Sequence, residues 1–87
     1  MMKPKVYFAP WCPDTEPFFA ELNRLKIEFE ALDIANDRLN FKAFLKLRDV
    51  HPAFDDAKQN GYIGIPALVL ENGNVVLDKE LLNLMLS

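Results

Sequence analysis

The segment Ala9-Pro10-Trp11-Cys12-Pro13-Asp14-Thr15 holds the only cysteine of an 87-residue chain, and its neighbours decide what that sulfur can do. Before it, Lys5-Val6-Tyr7-Phe8 is β-branched and aromatic and is stopped by Pro10, which suits a short buried strand. After it, Phe18, Leu22 and Leu25 fall at i, i+4 and i+7 with Glu21, Arg24 and Lys26 on the other face, the spacing of an amphipathic helix. Cys12 is therefore expected between the end of a strand and the start of a helix. Pro13 fits the first helical position, where its missing N–H has no intrahelical partner to lose. Free backbone N–H groups and the positive end of the helix dipole favour a thiolate over a thiol there, and the thiolate is the reactive form. Trp11 and Pro13 frame the sulfur near a surface turn.

The elements that must position this thiol follow in order. Residues 3–8 read as a first strand and 13–26 as a first helix, in which Pro17 should remove the bond to the Pro13 carbonyl and bend the first turn. Residues 28–34 read as a second strand. A second helix is capped by Asn36 or Asp37, with Leu39, Phe41, Phe44, Leu45 and Leu47 inward and Lys42, Lys46 and Arg48 as a solvated face. Residues 53–60 form a short extra helix ended by Gly61. Ala67-Leu68-Val69-Leu70 and Asn74-Val75-Val76-Leu77 pair as a hairpin around Glu71-Asn72-Gly73-Asn74. Asp78 then caps a last helix, residues 79–86, with Leu81, Leu82 and Met85 inward. The fold class expected is α/β: a four-stranded mixed sheet, βαβ then ββα, with helices on both faces.

Length and composition narrow the function. Residues 1–87 make one domain, and an apolar fraction of 51% is enough for a core. One cysteine makes no internal disulfide, and there is no signal-like or membrane-spanning apolar run, so a reducing cytosol is expected. A net charge of −3 without any basic run argues against nucleic acid or an anionic membrane surface as partner. One Cys and one His, His51, make no four-ligand zinc site, and His51 reads as a solvated loop residue ahead of Pro52.

Val6-Tyr7-Phe8 leading to Trp11-Cys12-Pro13-Asp14-Thr15, together with Gly64-Ile65-Pro66 before Ala67-Leu68-Val69-Leu70, resembles a glutaredoxin-related protein of the thioredoxin superfamily over nearly the whole chain. The resemblance implies a thioredoxin-like fold and a cis bond before Pro66. It places the N–H and C=O of Ile65 beside the sulfur, where they bind the peptide part of glutathione like an added strand. It also implies Asp78 as the contact for the γ-glutamyl amino group. Where dithiol members have a second cysteine this chain has Thr15, so only monothiol chemistry remains. The Thr15 hydroxyl has two open roles, donating to the Cys12 thiolate or capping the helix. The family's lysine before the cysteine is absent, Ala9 and Pro10 standing there, and its Gly-Gly after the hairpin is replaced by Val75-Val76-Leu77-Asp78.

The activity implied is monothiol, glutathione-dependent thiol-disulfide exchange through Cys12, supported by Trp11, Pro13, Asp14 and Thr15. Its partners are glutathione as co-substrate and protein or small-molecule mixed disulfides, and a monomer suffices. Two alternatives stand beside it. One is an iron-sulfur carrier, in which two chains and two glutathiones hold a 2Fe-2S cluster; the rigid Pro13, where such relatives have glycine, ranks it lower. The other is a binding or regulatory module that keeps the fold without catalysis, with Arg48, Lys46 and residues 51–60 serving a protein partner.

Overall fold

The computed structural model describes residues 3–77 and Leu82, and residues 1–2, 78–81 and 83–87 are not described. Among the described residues the chain runs β1 (Lys5–Phe8), α1 (Thr15–Arg24), β2 (Glu30–Asp33), α2 (Arg38–Val50), a 3-10 turn (Pro52–Phe54), α3 (Asp55–Asn60), β3 (Ala67–Val69) and β4 (Val75–Val76). The four strands form one mixed sheet in the order β2-β1-β3-β4. β1 and β2 are parallel, joined through α1, while β3 is antiparallel to both β1 and β4.

Strand alternation sorts the core into two clusters. Val6 opposes Leu68, and Leu68 opposes Val76, so one row of side chains crosses three strands. That row packs with Phe18 and Leu22 of α1 and with Leu82, all buried. On the alternate positions Tyr7 opposes Ala67, and this set packs with Ala9, Ile34, Phe44 of α2 and Phe54 of the 3-10 turn. Period-2 alternation thus puts α1 against one face and α2 against the other. Cys12 belongs to the second face, partly buried against that cluster.

Several boundaries differ from the sequence expectation, for physical reasons. α1 begins at Thr15, not Pro13, and its first intrahelical bond runs from the Phe18 N–H to the Asp14 carbonyl. Pro17 consequently falls in the first turn, where no N–H has an intrahelical partner, so it costs no bond and bends nothing. α1 stops at Arg24 because Lys26 takes a left-handed φ of 60°, and the Ile27 N–H returns to the Leu22 carbonyl at 3.0 Å. β2 is shorter than residues 28–34, and Asp33 ends it. Its Oδ1 accepts the Ala35 and Asn36 N–H groups, its Oδ2 accepts Asn36 Nδ2, and its carbonyl accepts Asn40 Nδ2 of α2. These bonds, the Asn36 side chain first, hold the Asp33 carboxyl below its usual pKa, partly offset by desolvation.

Asp37 caps α2, its Oδ1 accepting from Leu39 and Asn40 N–H. The apolar side of α2 is narrower than its composition suggests. One helix offers a flat sheet a stripe along i, i+4, i+7, and here Asn40, Phe44 and Leu47 occupy it. Leu39, Phe41 and Leu45 are instead exposed, which corrects their placement in the core. His51 is no solvated loop residue. It is half-buried, its Nδ1 accepts the Ala53 N–H at 3.1 Å, and its Nε2 lies 2.9 Å from the Gly73 carbonyl, so it joins the end of α2 to the β3–β4 turn.

Gly61 ends α3 in the left-handed region, as expected. The β3–β4 connection closes with the Gly73 N–H on the Leu70 carbonyl and the Leu70 N–H on the Asn74 carbonyl, Gly73 at φ +90°. The expected last helix lies outside the described residues apart from the buried Leu82, and so does Asp78.

Candidate functional site

The loop carrying Cys12 is tied to the end of β1 through one carbonyl. Ala9, fully buried, accepts the Cys12 N–H at 3.0 Å and the Thr15 hydroxyl at 3.0 Å. The Cys12 carbonyl in turn accepts the Thr15 N–H at 3.2 Å, so two tight turns share Cys12 and feed α1. Thr15 is itself buried. Its hydroxyl therefore neither donates to the sulfur nor caps the helix, the two roles left open by the sequence. It pins the loop to the strand.

Opposite stands the segment before β3. The Ile65–Pro66 peptide bond is cis. The Cys12 Sγ lies 3.9 Å from the Ile65 carbonyl, a weak contact within reach of a thiol donor, between residues 53 apart in sequence. Among the described residues the Ile65 N–H has no hydrogen-bond partner. The fold thus brings Cys12, Ile65 and Pro66 together, with the sulfur half-buried and an unpaired main-chain donor nearby.

Of the other expected site residues, Trp11 is 63% exposed and turned along a surface groove, and Pro13 is exposed in the turn ahead of α1. Asp14 takes the N-cap position through its backbone, with no side-chain cap bond. Pro13 at the first helical position is thereby corrected: the helix starts two residues later, because Thr15 is the residue bonded back to both Cys12 and Ala9.

Sequence reasoning missed what holds the Ile65 segment in place. Arg48, read as part of a solvated face, donates from Nε to the Ile63 carbonyl at 2.8 Å and from Nη2 to the Tyr62 carbonyl at 2.6 Å. Gly64 follows with φ +93°, and a Cβ there would come within 2.7 Å of the Phe54 ring, so the loop lies directly on that buried ring. The available signal was the run Tyr62-Ile63-Gly64-Ile65, whose carbonyls no strand uses and which needs a donor from elsewhere. Among the described residues no three His, Cys, Asp or Glu side chains gather as a metal site, and no helix is long and apolar enough to cross a membrane.

Comparison with known proteins gives one relative of note. Over 78 residues, covering 90% of this chain and 91% of the relative, the chain is 51% identical to a protein of Haemophilus influenzae described as uncharacterized. No family model matches the chain, and no solved structure does.

Proposed function

We propose that this chain, which belongs to one family with the Haemophilus influenzae protein, is a glutaredoxin-like member of the thioredoxin superfamily. Its activity is monothiol, glutathione-dependent thiol-disulfide exchange, with Cys12 as the nucleophile. The observation that carries this reading is the approach of the half-buried Cys12 sulfur to the Ile65 carbonyl, beside an unpaired Ile65 N–H. A sulfur packed only for its bulk has no need of such a neighbour. A peptide-like ligand does, since main-chain groups of an unpaired segment accept it as an added strand. The α/β sheet with βαβ followed by an antiparallel pair supports the same family.

The exchange proceeds in two steps. Cys12 thiolate attacks the glutathionyl sulfur of a mixed disulfide, forming the Cys12–glutathione disulfide and releasing the substrate as its thiolate, which takes a proton from water. A second glutathione thiolate attacks the glutathionyl sulfur of that adduct, giving glutathione disulfide and restoring Cys12. One mixed disulfide is reduced and two glutathiones end as one disulfide. No second protein thiol takes part, consistent with Thr15 in place of a resolving cysteine.

The test is turnover of a glutathionylated cysteine or peptide, coupled to the reduction of glutathione disulfide. The wild-type protein is expected to accelerate it and Cys12→Ser to be inert. Equal rates for the two proteins would overturn the proposal.

A further inference from the structure

We propose that the groove beside Trp11 selects polypeptide mixed disulfides in which the reacting cysteine is flanked by a large apolar residue and an acidic one. This rests on Cys12 being the reacting thiol and names its substrate class. The groove has a volume of about 330 Å³ and is walled by Trp11, Phe41, Leu45, Arg48, Tyr62 and Ile63. It is continuous with the thiol at both ends of the contact: Trp11 precedes Cys12, and Ile63 is two residues from Ile65, whose carbonyl meets the sulfur.

Its walls are apolar where a solvated face was expected. Trp11 is 63% and Tyr62 68% exposed, with Phe41, Leu45 and Ile63 also open to solvent. Ligand pockets span roughly 300–1,000 Å³, so this one is small, sized for a side chain and its flanking residues rather than a bulky cofactor.

Its charge is one-sided. Arg48 spends two of its five N–H donors on the Ile63 and Tyr62 carbonyls, which fixes the guanidinium at the groove without neutralising it. Among the described residues Arg48 forms no ion pair, and no Asp or Glu lines the groove. Arg38 and Lys42 stand one turn before Phe41 and Leu45, at the i,i+3 spacing that makes helix side chains neighbours. An apolar groove with a fixed, unpaired cation and two more cations on its rim complements an apolar segment carrying carboxylates.

Trp11 is the only tryptophan, so its emission reports the groove directly. The probe is a ten-residue peptide in which serine replaces cysteine, with Leu on each side of it and Asp beyond. Two comparison peptides carry Lys in place of Asp, or Ser in place of Leu. They are titrated into the Cys12→Ser protein, which binds without chemistry. The acidic Leu peptide is expected to shift Trp11 emission saturably and to bind roughly tenfold tighter than the Lys peptide at low salt, with Lys42→Glu removing most of that difference. Leu45→Ser, at an exposed position, is expected to weaken the acidic peptide without unfolding the protein. Equal binding of the acidic and Lys peptides, or no saturable shift with any of them, would overturn the groove assignment. Turnover of glutathionylated free cysteine by the wild-type protein tests the thiol chemistry separately: turnover without peptide binding refutes the groove alone, and peptide binding without turnover refutes the thiol reading on which the proposal rests.

Discussion

Replacing Thr15 by valine separates a loop anchor from a thiol partner. Val keeps the shape of Thr and removes only the hydroxyl, which donates to the Ala9 carbonyl at 3.0 Å in a buried setting. The Ala9 carbonyl still accepts the Cys12 N–H, so no buried acceptor is orphaned. The loss is then the net value of one neutral hydrogen bond, about 1 kcal/mol. In a domain of this size that lowers Tm by about 4–8 °C. Thr15→Ser keeps the bond and loses one buried methyl, about 0.8 kcal/mol, while Thr15→Ala loses both, about 2 kcal/mol. The assay is thermal unfolding by circular dichroism, with Cys12 alkylation followed on the same samples well below Tm. Alkylation of Thr15→Val is expected to match the wild type. An unchanged Tm with slowed alkylation would refute the reasoning and put the hydroxyl on the sulfur.

Gly64→Ala combines a left-handed φ with a Cβ 2.7 Å from the Phe54 ring, a cost of roughly 2–4 kcal/mol. Gly73→Ala meets no atom and carries only the backbone part, about 1–2 kcal/mol, and equal losses in denaturant melts would refute the contact argument. His51→Ala removes the acceptor of the Ala53 N–H and is expected to cost about 1 kcal/mol, with His51→Asn recovering part of it; an unaltered midpoint for His51→Ala would contradict the capping role. Tyr7 has its pKa raised, by burial first and by Glu30 second. A raised folded value favours the neutral phenol, so this contribution is complete below the unfolded value of about 10 and is lost as pH rises through the folded one. Tyr7→Phe is expected to flatten the alkaline loss of stability, and an identical slope in both proteins would show that Tyr7 is not its source.

The strands and helices were legible wherever one residue type had one physical task. Val6, Leu68 and Val76 alternate in strands, Asp37 caps, Gly61 and Gly73 adopt left-handed turns, and each does so in the structure. Two kinds of information were not legible. One is which apolar residues of α2 a flat sheet has room to cover: Phe41 and Leu45 have the same chemistry as Phe44 yet are left outside, lining the groove. The other is the long-range pairing of side chains with main chain. Arg48 with the carbonyls of residues 62 and 63, and His51 with that of Gly73, depend on where loops pass after folding, which no local periodicity encodes. At the site, the sequence singled out Cys12, Ile65 and Pro66, which the fold brings together, and it overstated Thr15 as a partner of the sulfur.

The central claim is tested most directly by intact mass after incubation with glutathione disulfide. The account predicts one glutathione adduct on the wild-type protein, removed by free glutathione and absent from Cys12→Ser. An unmodified wild-type protein, or an adduct that free glutathione does not remove, would contradict it.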